Sequence, residues 1–545
     1  MTERLGVLAG IAILTLAGYF WFPGHTYLQE DTQIYAAILE RLHDPSVLGK
    51  DPVALHPHVG YTIYDEAALL VRRLTGADFE NVLAVGQVLS RALGLAGVFL
   101  IATAVRLCNP WALVVAGIFG LGALIDGPTV LTIEHEPIPR GFALPLVFLA
   151  LGLLGHGRFR LAGIAAGAAI LFHPPTVLPF LAVYGAFVLR LGSRERWQPV
   201  LPMAASVGLL LLFRKLQPGL AEPHVLFGRL DEPIEALQRM RSTYVWVSLW
   251  LPGLIWQYLF LWGVSAAAYL RIRREVPKEL RPFLTGLPLF GVLMIPVSYA
   301  LLEGARWVLM PQLQPARAVL FVTAFAIVLG AVAGIRAAQA RRIPEAFLWL
   351  ALALAPAAHS RVFEILQIEG VEGRRLLVVL GLAALVAAAA ALHKSAPALR
   401  WSLWAAALAG PMLLLPTAGA VQNFPNHHST ELDALSAWAR ASTPVEAVFH
   451  FPDAGRERYP GIFRARALRN VYVDWKGGGQ VNLLHGFARE WHDRWEKAMP
   501  RRYTGPDWEL YASIGADYII LKGEHRLETD EPVFENGRFV VYRVR

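Results

Sequence analysis

A chain of 545 residues is long enough for several soluble domains, but 55% of its residues are hydrophobic, only 17% are charged and its mean hydropathy is positive. That balance excludes an ordinary soluble multidomain protein and points to membrane spans. The formal charge of +8 reads as topogenic Lys and Arg, with no nucleic acid as partner, and the single cysteine, Cys108, excludes an intramolecular disulfide and any cysteine-based metal or redox motif.

The first apolar run, 5–23, has no small-residue cleavage site before Pro23 and reads as an uncleaved span. It is followed by "YLQEDTQIYAAILERL", in which Glu30 and Asp31 stand side by side at the head of an amphipathic helix. They open a first loop, 24–81, far longer than the usual connection. Two stretches in this loop, "TQIYAAILERLH" and "DEAALLVRRLTG", space apolar residues three and four apart, which predicts two helices lying on the membrane surface. Asp31 fits equally well as a helix N-cap or as a carboxylate held at the interface, and one side chain can serve both ends.

Further candidate spans are 82–106, 110–125, 141–156, 160–173, 176–191, 199–214, 244–270, 283–302, 316–335, 344–358, 375–392 and 400–420. With the first run these make about thirteen transmembrane helices. Placing the N-terminus in the cytoplasm puts Arg106, Arg158, Arg160, Arg190, Arg194, Arg196, the run "RIRREVPKELR", Arg336, Arg341, Arg342, Lys394 and Arg400 in short basic loops. Most acids then fall in the opposite set, 24–81, 126–140, 215–243, 303–315 and 359–374, which is the positive-inside pattern.

The second outer loop reads "DGPTVLTIEHEPIPRGFALP". In an extended segment Glu134 and Glu136 point the same way, so they either share a hard divalent cation such as Mg²⁺ or Mn²⁺ or form a solvated acidic loop. Arg140 heads the next span. Arg91 lies well inside a span, where an unpaired charge is costly, so it needs an acidic partner or an anionic ligand. His173, in "LFHPPT", is a metal ligand or a helix cap, and Arg306, Arg317 and Arg361 at later outer span ends grip phosphate or anchor at headgroups.

After about residue 420 the apolar runs stop. The reading is a membrane domain over 1–423 and a soluble extracytoplasmic α/β domain over 424–545. In the latter, "TELDALSAWARAS" and "NLLHGFAREWHDRWEKAM" predict helices and "EAVFHF", "ALRNVYVDW" and "DYIILK" predict strands, with a hairpin "VFENGRFVVYRV" turning at Asn536-Gly537. The fold class expected is therefore a polytopic α-helical membrane protein with a C-terminal extracytoplasmic α/β domain.

In these features the chain resembles the GT-C superfamily of integral-membrane glycosyltransferases. They are a cytoplasmic start, acids soon after the first span in a long loop with two surface helices, acids in the second outer loop, and an outer C-terminal domain. The resemblance implies transfer of a sugar from a polyprenyl-phosphate donor to a glycan, lipid or protein acceptor on the periplasmic face of a bacterial inner membrane, with membrane lipid around it. Carried over by position, it implies Asp31 and then Glu30 as the catalytic carboxylate, and Glu134 and Glu136, with His173, as a metal or acceptor site. It implies Arg306, Arg317 and Arg361 as holders of the lipid phosphate, to which the residue reading adds Arg91 and Arg140 as substrate-binding candidates, with no cofactor other than Mg²⁺ or Mn²⁺. The chain departs from the family in having adjacent Glu30-Asp31 and not Asp-x-Asp, and in lacking a Trp-Trp-Asp signature. Competing readings are a lipid or small-molecule flippase, and a non-catalytic protein that binds envelope polysaccharide through Arg464, Arg466, Arg469 and Lys476 of "FRARALRNVYVDWKGGG".

Overall fold

The computed structural model describes residues 2–57, 60–190, 197–217, 225–359, 361–362, 364, 369–393, 395–419 and 428–544; Arg194, Arg196 and Lys394 of the basic loops lie outside them. Seven helices among the described residues are long and apolar enough to cross a bilayer: Glu3–Phe20, Phe79–Ala104, Gly253–Ile272, Arg281–Gly304, Met310–Gln339, Gly370–Leu392 and Pro397–Thr417. Shorter apolar helices are Asn109–Gly120, Pro139–Gly155, Phe159–Phe172, Pro174–Leu189 and Ile343–Ala358. The chain is a polytopic helical membrane protein.

The segment Val319–Gln339 runs through the centre of the bundle, packed against Gly253–Ile272, Arg281–Ser298, Ile343–Ala358 and Gly370–Leu392. It is apolar on every side, which suits a helix with neighbours all round. Phe79–Ala104 and Pro139–Gly155 approach backbone to backbone, because a Cβ on Gly97 would lie 2.4 Å from the Phe148 main chain. The span expected at 244–270 starts late. Residues 243–249 form two short 3₁₀ turns around the buried Trp246, and the helix begins only after Pro252, which has no N–H to continue an earlier one.

Both helices of the long first loop are present, at Thr32–His43 and Tyr64–Thr75, but they sit differently. Tyr64–Thr75 exposes Leu70, Val71 and Leu74, an apolar stripe fit for an interface. Thr32–His43 is enclosed. Ile34 and Ile38 pack with Val481 and Trp491, Ala36 with Leu435 and Phe463, and Leu39 with Tyr64 and Phe79, so it bridges tail and bundle and does not lie on a membrane surface.

Beyond residue 428 the chain forms a five-stranded sheet. After the hairpin strands β1 (Leu124–Ile125) and β2 (Val130–Leu131) of the second loop, these strands are β3 (Val448–His450), β4 (Asn470–Val471), β5 (Tyr518–Lys522), β6 (Phe534–Glu535) and β7 (Phe539–Arg543). Their spatial order is β4-β3-β5-β7-β6, with β3 parallel to both neighbours and β7 antiparallel to β5 and β6. The stretch before β4 contains a helix the sequence did not signal, Tyr459–Ala467, whose Ile462 and Phe463 bury against Phe449 and Phe451.

That helix removes the basis for an exposed polysaccharide-binding strand. Arg464 is fully buried, donating to Asp51 of the first loop at 2.6 Å and pairing also with Asp474. Arg469 is buried and donates to the carbonyls of Arg440 and Thr443, and Arg466 faces Asp433 at 3.4 Å. Asp51 also accepts from the Val471 N–H of β4 at 3.0 Å, so the first loop and the tail are joined by a buried ion triad.

Candidate active site

The second loop builds the floor. Arg91, buried in its span, donates to the carbonyls of Gly18, Gly24 and Glu134 at 3.0, 2.7 and 2.8 Å, and Gln87 donates to the carbonyls of Glu134 and His135. These contacts stand where a carboxylate partner or a ligand was expected: Nη1 and Nη2 of Arg91 donate to main-chain carbonyls, while its Nε is buried without a partner among the described residues, and the side chain ties the first span, its exit and the second loop together.

Glu136 is a template. Its carboxylate accepts from the Gln29 N–H at 2.7 Å, the Glu30 N–H at 2.8 Å, the Thr32 N–H at 3.1 Å and the Thr32 hydroxyl at 2.7 Å. The turn carrying Glu30 and Asp31 is thus wrapped around a buried carboxylate. Burial pushes the Glu136 pKa up to about 7 against the hydrogen bonds from Thr32.

Held this way, Asp31 occupies the N-cap position of Thr32–His43 but its side chain caps nothing. One oxygen accepts from Lys476 Nζ at 2.6 Å and the other faces Arg140 Nη1 at 3.2 Å. Glu30 pairs with Lys476 at 3.1 Å and with Arg458, and Arg140 donates through Nε to Glu134 at 2.7 Å. Burial alone would raise the Asp31 carboxyl; Lys476 and Arg140 outweigh it and hold the group well below the usual carboxylate range.

Glu134, Glu136 and His173 do not assemble as a ligand set. Glu134 is turned to Arg140, Glu136 to the first-loop amides, and His173 exchanges a hydrogen bond with the Thr176 hydroxyl at 2.8 Å in the break between two helices. No group of three His, Cys, Asp or Glu side chains among the described residues could hold a metal. The carboxylates here already face Arg140, Lys476 and backbone N–H donors, an arrangement that does not fit Mg²⁺ or Mn²⁺.

Two cavities meet at this point. One, about 280 Å³, lies among the spans, with Leu144, Leu178, Phe290, Met294, Val297 and Phe321 in its walls. The other, about 380 Å³, is polar and lies between the bundle and the tail, reached by Glu30, Asp31, Arg241, Tyr244, Arg458 and Lys476. They share Leu131, Arg140, His173, Gln312, Gln314 and Arg317. Arg317 sits on the 3₁₀ turn Pro315–Ala318 at the head of the central helix. Its guanidinium has no ion pair among the described residues, its Nε is buried without a hydrogen-bond partner, and it lies 5.5 Å from the Tyr244 ring.

Of the arginines expected to hold phosphate, only Arg140 and Arg317 line the cavities. Arg306 is paired with Glu235 at 3.0 Å and Glu232 at 3.5 Å, and Arg361 with Asp126 at 2.9 Å and Glu364 at 2.7 Å. Arg458, Arg241 and Tyr244 escaped the sequence reading as site residues, and Lys476 entered it only as a polysaccharide-binding candidate. The only available signal was the run "DWKGGG", whose glycines pack where side chains would collide with Val53, Trp491 and Ile34.

No family model and no curated protein matches the chain. Among solved structures it is similar to apo ArnT from Cupriavidus metallidurans, with 13% identity over 99% of this chain and 97% of that one, at a TM-score of 0.47. It is also similar to the apo Archaeoglobus fulgidus oligosaccharyltransferase, with 12% identity over 95% and 69% of the two chains, at 0.42. The arabinofuranosyltransferase AftD from mycobacteria aligns with 14% identity over 99% of this chain and 40% of that one, at 0.45. Likeness at this level assigns no activity; the solved structures it reaches are GT-C glycosyltransferases.

Proposed function

We propose that the chain is a membrane glycosyltransferase that moves a sugar from a polyprenyl-phosphate donor to an acceptor on the outer face of the membrane. The observation that carries this reading is that an apolar cavity and a polar one share Arg140 and Arg317 in their walls. An isoprenoid tail suits the first, a sugar and an acceptor suit the second, and a phosphate fits where Arg317, with no ion pair among the described residues, borders both.

Asp31 is the proposed proton acceptor. Displacement at the anomeric carbon passes through an oxocarbenium-like state that the Glu30-Asp31 pair favours, and a single displacement inverts the centre. Arg317 and Arg140 stabilise the leaving lipid phosphate. In the resting geometry Asp31 is a weak base, because Lys476 and Arg140 hold it ionised. An incoming phosphate that draws off either cation raises its basicity where the acceptor hydroxyl must lose its proton.

The test is donor hydrolysis by purified protein in lipid, offered a panel of polyprenyl-phosphate sugars, comparing wild type with Asp31→Asn. Release of sugar that Asp31→Asn abolishes in a folded protein supports the reading. Undiminished release by Asp31→Asn removes Asp31 from the chemistry, and no release with any donor leaves transport as the better account.

A further inference from the structure

We propose that Arg241, with the Trp475–Lys476 main chain that holds it, forms a second anion subsite in the polar cavity, distinct from the phosphate position at Arg317. It takes a phosphate or carboxylate group carried by the acceptor, or the second phosphate of a lipid diphosphate. This rests on the reading of the polar cavity as the place of transfer.

Of the carboxylates at the site, Glu30, Asp31 and Glu134 are ion-paired with Lys476, Arg458 and Arg140, and Glu136 is held by backbone N–H groups and the Thr32 hydroxyl. Two arginines of the polar cavity remain without a carboxylate among the described residues, Arg317 and Arg241. Arg317 borders both cavities, as a lipid phosphate requires. Arg241 borders only the polar one, so an anion held there lies beyond the phosphate position at Arg317.

Arg241 is also held in place. It ends the helix Glu232–Arg241, donates through Nε to the Trp475 carbonyl at 3.0 Å and through Nη2 to the Lys476 carbonyl at 3.4 Å, and lies over the Trp475 ring at 4.7 Å. A guanidinium has five N–H donors in a fixed fork, so the Nη1 edge stays available for a bidentate oxyanion.

The glycine run explains how the space is kept. A Cβ on Gly478 would lie 3.0 Å from Arg241 Nε and 2.5 Å from the Trp491 ring, and one on Gly479 would lie 3.2 Å from Ile34 and 3.9 Å from Arg241 Nη2. Beside it, Asn482 donates to the Ser242 hydroxyl at 2.9 Å.

The test is equilibrium binding of labelled glucuronate, inorganic phosphate and glucose to the full-length protein in lipid nanodiscs. Wild type is expected to retain glucuronate and phosphate over glucose. Arg241→Gln is expected to weaken glucuronate roughly tenfold or more, with Arg241→Lys recovering part of the loss and Arg306→Gln, at a position that lines neither cavity, leaving glucuronate unchanged. Equal retention of glucuronate and glucose by wild type overturns the proposal, as does unchanged retention by an Arg241→Gln protein that melts like wild type.

Undecaprenyl phosphate and undecaprenyl diphosphate are then added as competitors. Displacement of glucuronate by the diphosphate alone assigns the subsite to the donor, and retention against both assigns it to the acceptor. These measurements need no turnover. Failed donor hydrolysis with intact glucuronate binding rejects the transferase reading alone, and the reverse rejects the subsite alone.

Discussion

Lys476 Nζ lies 2.6 Å from Asp31 Oδ1 although 445 positions separate the two residues in the chain. The contact brings the tail onto the end of the first span and sets the electrostatics of the proposed reaction. Asp31 has a folded pKa below its unfolded value, so the pairing contributes stability above the unfolded pKa that is lost as pH falls through the folded one. Lys476→Gln is expected to let the Asp31 pKa rise toward the ordinary value and to move the acid limb of donor hydrolysis to higher pH. A pH–rate profile of wild type and variant, each checked for folding, reads this directly; superimposable acid limbs would count against Asp31 as the titrating group.

Glu136 supports the same turn from below. Glu136→Gln keeps the shape but sets an NH₂ group against backbone N–H donors, and each buried donor left unmatched costs about 1–3 kcal/mol. A melting temperature several degrees lower is expected, with activity lost together with the geometry of residues 29–32. The group's own titration runs opposite to that of Asp31. Its folded pKa is raised to about 7, so its contribution is fully present below the unfolded value and is lost as pH rises through 7. Melting of Glu136→Gln should accordingly lose part of the wild-type pH dependence between about pH 5 and 8.

Arg317 and Arg306 separate a binding role from an anchoring one. Arg317→Gln is expected to raise the KM for donor hydrolysis about tenfold to a hundredfold, the worth of a charge-assisted hydrogen bond to phosphate. Arg306→Gln, which loses only pairs to Glu232 and Glu235, should leave KM within about twofold. Equal KM values for both variants would remove the distinction.

The apolar cavity is tested by filling it. Met294→Trp adds bulk among Leu178, Phe290 and Val297. Binding of long polyprenyl phosphates should weaken strongly while that of a two-isoprene phosphate changes little, as measured by competition; uniform weakening for both lengths would argue against a lipid path here.

The Arg464 triad is a stability element. Arg464→Leu leaves Asp51 and Asp474 buried without their cation, a loss on the order of 3–5 kcal/mol. Faster limited proteolysis between the bundle and the tail sheet is the expected sign; unchanged proteolysis of the variant would remove the triad from the stability of that junction.

Much of the architecture was legible because the information is local. Apolar runs mark helices, three-and-four spacing marked Thr32–His43 and Tyr64–Thr75, and alternation with an Asn-Gly turn marked β5, β6 and β7. Glu30 and Asp31 stood out by position, directly after a span and ahead of a helix. Arg306 and Arg361 drew attention by the same rule and proved to be occupied, because acids near them in space neutralise them first.

What the sequence by itself determined is where the chain turns helical, which ends carry acids, and that a tail of different character follows the last span. Tertiary structure alone decided which charge meets which. Glu136 meets the amides of residues more than a hundred positions earlier, and Lys476 and Arg458 come from the tail to neutralise Glu30 and Asp31. Arg317 and Arg241 face a cavity with no ion pair of their own among the described residues. Helix formation is governed by neighbours three and four residues away, whereas the charge state of a buried group is governed by whatever lies within a few ångströms of it, regardless of its distance along the chain.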